Sequence, residues 1–292
     1  MQGNKLLFLS ATFLMAANIA RAQVSYGSEG KRTSIYLSVG TATQTYNPST
    51  INITQGNVSS FDLEKVKGDN KVAPVSGGLN TNLRVGIIFD HEQRMGLELN
   101  YDPASYHVVD GQKVHLKGTL DNTVKDTTFA FTKKNGYSYY LNGANFLMLN
   151  FVYRQQLLRS KTNNLRLDLL GKAGIGPVMP HVYNTINGKD AEYPSFQLGG
   201  WNAGVEASLR LTIMRHVYLE VSPKYSYASY TDIGVYNGTA TQKLTTFQWI
   251  FNIGYWFSVT KHNQLFEKRK IEKPALSIKP IHTEQPMEDA VD

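Results

Sequence analysis

Apolar and polar residues alternate along most of this chain with a period of two, which is the period of a β-strand. The clearest stretch is 245–257, where apolar side chains occupy one face and Gln248, Asn252 and Gly254 fall on the other. One face of such a strand suits lipid and the other suits a polar interior. The pattern predicts a strand in the wall of a membrane-spanning barrel.

Eight segments carry this alternation, and the connections between them are alternately short and long. The predicted strands are 33–46, 81–90, 94–108, 137–158, 164–184, 196–213, 216–230 and 245–259. Tight turns fall at 90–94, 159–163 and 214–216, and the longer connections are 47–80, 109–136, 185–195 and 231–244. Short turns at one end and long loops at the other are typical of a transmembrane barrel with an even strand number. The predicted fold is all-β, an eight-stranded antiparallel up-and-down transmembrane β-barrel with a flexible C-terminal tail.

The charged residues of these strands share the parity opposite to the apolar set. They are Arg84, Glu98, Asp102, Arg154, Arg166, Asp168, Lys172, Glu206, Arg210, Glu220 and Lys224. An eight-stranded barrel is only wide enough for its own side chains, and buried charges require partners. We therefore predict a network of ion pairs that fills the lumen. A narrow channel for small or hydrophobic solutes is the alternative.

Aromatic residues are concentrated near the ends of the predicted strands. They are Tyr36, Tyr46, Tyr101, Tyr106, Tyr137, Tyr139, Tyr140, Tyr183, Tyr193, Tyr225, Tyr227, Tyr230 and Trp256. Amphipathic rings are favoured at membrane–water interfaces. We expect many of them to form interfacial girdles.

The two ends of the chain differ from its middle. Residues 1–22 read as a secretory signal peptide, with Lys5 before an apolar stretch and Ala20-Arg21-Ala22 at the cleavage site. The barrel is then expected over 23–259. Residues 260–292 are polar and contain three prolines, which predicts a flexible periplasmic tail, either a solvated tether or a docking peptide for a periplasmic partner. No stretch of about 18 apolar residues comes after the leader, so a membrane-bound form has to be a closed barrel.

Composition narrows the classes of partner. The chain has no cysteine and a formal net charge of +7. An excess of basic residues favours anionic lipid or polysaccharide, and an exported chain without a basic run among aromatics is not expected to bind nucleic acid. No zinc or calcium motif is present, so we expect neither a metal nor another cofactor.

From the signal peptide through the alternating strands to Gly254-Tyr-Trp-Phe257, the chain resembles the small outer-membrane barrels. This family includes the transmembrane domain of outer-membrane protein A and outer-membrane proteins X and W, and the Asn- and Tyr-rich style resembles members from Bacteroidetes. The resemblance implies an outer-membrane location with both termini periplasmic. It also implies insertion by the barrel-assembly machinery and contact with outer-membrane lipid and lipopolysaccharide.

The residues leave three functions open. A non-enzymatic barrel would use its loops for surface or lipopolysaccharide interaction and envelope integrity, and the lysines of loop 109–136 suit lipopolysaccharide phosphates. A lipid A-modifying hydrolase or oxidase would use His181, with Asp190 or Glu192 to orient the imidazole. Its hydroxyl would come from Ser105, Ser195 or Ser229. The third function is the narrow channel.

Pro177 and Pro180 interrupt the fifth predicted strand. Proline has no N–H to donate to a ladder, so the pair predicts a bulge, an irregular end or a lateral opening.

Overall fold

A computed structural model describes residues 32–70, 81–89, 92–162, 164–193 and 198–260. The chain divides into two units, Met1–Val259 and Thr260–Asp292. The predicted signal peptide and residues 261–292 of the predicted tail lie outside the described residues, as does Ser195. The described strands lie in the first unit, apart from Thr260 at the end of the final strand.

Fifteen strands are described. They are β1 (Arg32–Tyr46), β2 (Ser49–Gln55), β3 (Ser59–Val66), β4 (Gly68–Asp69), β5 (Asn82–Ile88), β6 (Met95–Asp102), β7 (Tyr106–Val108), β8 (Lys113–Leu120), β9 (Thr123–Ala130), β10 (Ser138–Arg159), β11 (Leu165–Ile186), β12 (Lys189–Tyr193), β13 (Gly200–Ile213), β14 (Val217–Val235) and β15 (Gly238–Thr260). A 3₁₀ helix, Lys133–Asn135, precedes β10. No helix in the described part of the chain has the length and apolar character needed to cross a bilayer.

Eight of these strands close into a barrel. In order around the wall they are β1, β5, β6, β10, β11, β13, β14 and β15, and β15 pairs with β1 to complete the ring. Neighbours in this order are antiparallel from β1 to β15. The predicted eight-stranded up-and-down barrel is confirmed. We call its ends the turn end, where β10 meets β11 and β13 meets β14, and the loop end.

The outward face of the wall is apolar, as the strand parity predicted. Leu83, Leu99, Phe151, Val205 and Trp249 each expose between 45 % and 58 % of their surface. On β11 the outward apolar positions run from Leu165 to Ile175. Ten residues at ~3.3 Å, tilted by ~40°, span ~25 Å, the height of a lipid-facing band. This apolar band fits the hydrocarbon core of a bilayer.

The long connections differ from the prediction, because most of their residues form strands. At the loop end β2 pairs with the start of β15, and the sheet continues through β3, β8 and β9. β7 pairs with both β4 and β10, and β12 pairs with β11. None of these strands buries more than three apolar residues among those whose burial is described, so the Asn-, Thr- and Lys-rich composition obscured their alternation. The predicted third strand is broken between Asp102 and Tyr106, around Pro103, into β6 and β7.

These added strands and the loop-end parts of β10, β11, β14 and β15 form what we call the cap. Its interior is an apolar core that includes Ile51, Leu63, Leu116, Phe131, Tyr139, Val182 and Tyr230. Burial raises the pKa of the Tyr137 phenol at its edge, and Asp121 adds to the shift. The phenol therefore remains neutral at ordinary pH. The cap is a packed structure, and its surface positions are held by the core behind them.

The expected aromatic girdles are only partly present, because several of the ring-bearing residues face inward. Tyr36 and Trp256 lie in the lumen, while Tyr106, Tyr139 and Tyr230 belong to the core of the cap. In the alternation of their strands, all five fall at positions that face inward. This alternation, and not nearness to a strand end, decides which way each ring points. Tyr101, Tyr225 and Tyr227 of the predicted set do face outward, and Tyr225 exposes 52 % of its surface.

The wall is irregular beside the two prolines of β11. The β11–β13 ladder ends at Pro177 opposite Trp201, and β12 replaces β13 as the neighbour of β11 from Val182 onward. On the other side, the β10–β11 register shifts between Asn142 and Asn145. The predicted irregularity therefore takes two forms: the β11–β13 pairing ends, and the β10–β11 pairing shifts its register.

Candidate functional site

The lumen contains a central cluster of eight charges. Its carboxylates are Glu98, Asp102, Glu206 and Glu220, and its cations are Arg84, Lys172, Arg210 and Lys224. All eight side chains are buried. The formal charges are four negative and four positive, so the cluster is neutral as a whole. Burial of so many charges is tolerable only when each has a partner.

Two basic residues connect most of this central cluster. Arg84 Nη1 lies 3.1 Å from Glu98 Oε1 and 2.7 Å from Glu206 Oε1. Lys172 Nζ lies 2.9 Å from Glu98 Oε2, 3.1 Å from Glu206 Oε1 and 2.8 Å from Glu220 Oε1. These contacts join strands on opposite parts of the wall. The cluster therefore ties the ring together across its interior.

The remaining members of the central cluster are bound at its edges. Arg210 Nε lies 2.6 Å from Glu220 Oε2, and Lys224 Nζ bonds to Asp102. Tyr36 Oη donates a hydrogen bond to Glu98 Oε2 at 2.9 Å. The central cluster is thus continued by a neutral donor on the side of the turn end.

A second group of charges lies nearer the turn end, and its two arginines pack on the ring of Trp256. Asp168 lies 2.9 Å from both Arg154 Nη2 and Arg166 Nε. The guanidinium of Arg166 is 4.8 Å from the Trp256 ring centroid, and the Tyr36 ring is stacked on the same indole at 5.7 Å. Cation–π contact adds to the stability of such a site. The ring system fills the cross-section next to the charges.

The structure brings all of the predicted lumen residues into these two groups: Arg84, Glu98, Asp102, Arg166, Asp168, Lys172, Glu206, Arg210, Glu220 and Lys224. The sequence indicated which residues face inward, but it did not indicate their partners. The salt bridge between Lys172 and Glu98 joins residues 74 positions apart. The paired side chains of this network occupy the barrel interior.

His181 lies on the outer wall of β11, beyond the apolar band. Its ring packs on Tyr183 at 4.7 Å. Asp190 accepts a hydrogen bond from Thr185 Oγ1 at 2.7 Å. Because Asp190 pairs in register with Thr185, four residues from His181, it lies ~13 Å away along the strand. The expected pairing of these two side chains is therefore not formed.

Glu192 is the nearer of the two carboxylates to His181. It pairs in register with Tyr183, two residues along β11 from His181. The structure thus places Glu192 directly beside a tyrosine. Ser229, one of the possible hydroxyl donors, lies on β14 opposite Trp201.

A different serine–histidine pair is formed on the same wall. Ser105 Oγ lies 2.8 Å from His107 Nε2. The sequence signal is the spacing of two residues, which places both side chains on one face of an extended segment. Ser105 exposes only 1 % of its surface. A nucleophile has to reach its substrate, so this pair has the contact of a catalytic dyad without the access.

His107 belongs to a continuous row of side chains on the outside of the cap, and His181 packs beside that row on Tyr183. The register aligns Asp69 with His107, His107 with Tyr140, Tyr140 with Tyr183, and Tyr183 with Glu192. We call these five residues the tyrosine row. The His107 and Tyr140 rings are 4.6 Å apart at 73°. Sequence reasoning missed the row because it spans five strands.

The β8–β9 hairpin carries the basic residues of the predicted loop. Lys113, Lys117, Lys125, Lys133 and Lys134 are exposed there and in the adjoining 3₁₀ helix. Lys117 lies between Asp62 and Asp126 in the register of three strands, so its charge is offset. The hairpin is anchored, because Asn187 Nδ2 donates a 2.9 Å hydrogen bond to Asp121 Oδ2. Among the residues that the structure describes, no group of three metal-ligating side chains could hold an ion.

No protein-family model and no curated protein sequence matches the chain. The solved structures to which it is similar include small outer-membrane barrels. Ail of Yersinia pestis, in complex with the heparin analogue sucrose octasulfate, is 13 % identical with a TM-score of 0.33, over 78 % of this chain and 100 % of that one. OprG of Pseudomonas aeruginosa is 14 % identical with a TM-score of 0.36, over 79 % of this chain and 98 % of that one. The barrel itself is assigned from the pairing of its own strands.

Proposed function

We propose that this protein is a non-enzymatic outer-membrane barrel whose loop end interacts with lipopolysaccharide or the cell surface and supports envelope integrity. The observation that carries the proposal is the contrast between a lumen filled by paired charges and a folded, basic, exposed cap. A side-chain network that fills an eight-stranded barrel leaves the outer surface as the place for binding. The proposal includes a signal peptide at 1–22, a barrel over 23–259 and a tail at 260–292.

The proposed orientation places the loop end outside the cell and both termini in the periplasm. The short connections at the turn end and the long strand-forming ones at the loop end support it, since outer-membrane barrels have this asymmetry. Insertion by the barrel-assembly machinery is supported by the aromatic final strand. A periplasmic partner for residues 260–292 also remains part of the proposal.

The basic hairpin supplies the contact with lipopolysaccharide phosphates in this proposal. Lys125, Lys133 and Lys134 are exposed near the tip and base of one anchored hairpin, where a mobile ammonium suits a phosphate. Each basic side chain near an anionic surface contributes about 1 kcal/mol. Three of them together correspond to about a hundredfold in affinity.

The experiment measures binding of the detergent-solubilised full-length protein to immobilised lipopolysaccharide. The triple variant K125Q/K133Q/K134Q is expected to bind about a hundredfold more weakly, and the difference is expected to shrink at high salt. The control K161Q removes an exposed lysine at the turn end and leaves binding unchanged. Equal affinities of the triple variant and the wild type would reject the proposal.

The enzymatic alternative receives weaker support from the geometry. His181 is not paired with Asp190, and the serine of the Ser105–His107 pair is buried. Mass spectrometry of lipid A from cells with and without the protein tests this alternative directly. We expect an unchanged profile, and a lost acyl chain or an added oxygen would establish the enzyme instead.

A further inference from the structure

We propose that the tyrosine row is a binding site for the uncharged saccharide part of a membrane glycolipid. This inference deepens the proposed function and rests on it, since it requires the loop end to face the glycolipid-bearing surface. The site is distinct from the basic hairpin. It lies on the opposite side of the β10–β11 wall from the core of the cap.

The position of the row places it at the level of a glycolipid headgroup. Tyr183 lies six residues beyond Pro177, where the β11–β13 ladder ends just past Ile175, the last outward apolar position of the band. Six residues at ~3.3 Å on a strand tilted by ~40° rise ~15 Å. That height is above the acyl chains and within the layer where a glycolipid presents its sugars.

The row is rigid because its members alternate with buried residues. The neighbours of His107 are Tyr106 and Val108, and those of Tyr140 are Tyr139 and Leu141, all of which belong to the core of the cap. Side chains that are already held in place lose little conformational entropy on binding.

The chemistry of the row suits a saccharide. A sugar has a face of C–H groups and an edge of hydroxyls, and a tyrosine offers an apolar ring and a polar tip. Tyr140 and Tyr183 are adjacent and half-buried in the middle of the row, with the carboxylates of Asp69 and Glu192 at its two ends. Carboxylates accept hydrogen bonds from sugar hydroxyls. Stacking in the centre and hydrogen bonding at the edges are therefore both available.

The charge of the row selects against phosphates. Its five residues include two carboxylates and no lysine or arginine, so an anionic group placed on it would be repelled. Its length selects for more than one sugar, because five strands at ~4.8 Å separate its ends by ~19 Å. The fitting ligand is an uncharged oligosaccharide lying across the strands.

The test uses the full-length barrel in lipid nanodiscs and a neutral oligosaccharide prepared from lipopolysaccharide, freed of lipid, phosphate and acidic sugars. We expect saturable binding that inorganic phosphate does not displace. Y140A and Y183A are each expected to weaken it at least about fivefold, the usual effect of truncating an important contact. The matched control Y225A removes a tyrosine that is 52 % exposed on β14, outside the row, and is expected to bind like the wild type.

Several results would overturn the inference. They are no binding by a folded wild-type barrel, unchanged binding by both tyrosine variants, or displacement by inorganic phosphate. Stronger binding by E192Q would likewise show that an anion occupies the row. The lysines of the hairpin are intact in every one of these variants. A negative result for the tyrosine row therefore does not affect the lipopolysaccharide binding measured with the hairpin variant. Failure of the hairpin variant with intact oligosaccharide binding would reject the proposed role of the lysines alone.

Discussion

Replacement of Lys172 by methionine tests whether the central charge cluster stabilises the barrel. The ammonium contacts Glu98, Glu206 and Glu220 at 2.8 to 3.1 Å and is fully buried. Methionine has a similar length but no charge. The variant therefore leaves four buried carboxylates facing three cations.

The magnitude is set by the three contacts. At ~3 Å and an effective dielectric constant of about 20, each contributes about 5 kcal/mol of attraction. Much of this offsets the cost of removing the charges from water. Removal of one partner leaves the others uncompensated, which costs about 3–5 kcal/mol in buried pairs. We expect K172M to lower the free energy of unfolding by that amount.

The assay is equilibrium unfolding in urea of the protein refolded into lipid vesicles, followed by tryptophan fluorescence. K161M is the control, because Lys161 is exposed at the turn end, and we expect no change from it. The double variant K172M/E220Q restores equal numbers of opposite charges and should recover part of the loss. A K172M protein within ~0.5 kcal/mol of the wild type would refute a stabilising role for the network.

Three further predictions concern the filled interior. A methyl group added in G86A would overlap the ring of Tyr36, so we expect a loss of about 1–3 kcal/mol in unfolding free energy, whereas G171A meets nothing within 4 Å and should be neutral. W256A removes an indole that is 2 % exposed and should cost about 3–5 kcal/mol, more than W249A at the lipid face, where the ring is 45 % exposed. In planar bilayers the wild type should give no stepwise conductance, because paired charges fill its lumen.

Each of these has a clear contrary result. Equal stabilities for the two glycine variants would mean that the ring of Tyr36 can move aside. Equal losses for the two tryptophan variants would mean that the interior indole is no better packed than the lipid-facing one. Regular conductance steps would favour the narrow channel over the filled barrel.

The sequence was sufficient for the orientation of the barrel strands. Strand alternation is a local property with a period of two, and a lipid-facing position excludes charge, so parity alone separated Leu99 from Glu98. The same local rule found the tight turns. It failed for the cap, since strands with at most three buried apolar side chains in a polar segment resemble loops.

Tertiary structure decided which side chains meet. Lys172 and Glu98 come together because the strands close into a barrel. The two residues are 74 positions apart, so no local sequence pattern specifies their contact. Trp256 belongs to the lumen although its place near a strand end suggested a girdle, and His181 lies apart from Asp190 although nine positions separate them in sequence. The tyrosine row exists only where five strands align in register. Local alternation determines whether a side chain faces the lipid or the lumen. Which side chains contact each other depends on strand order and register, and these are properties of the closed barrel.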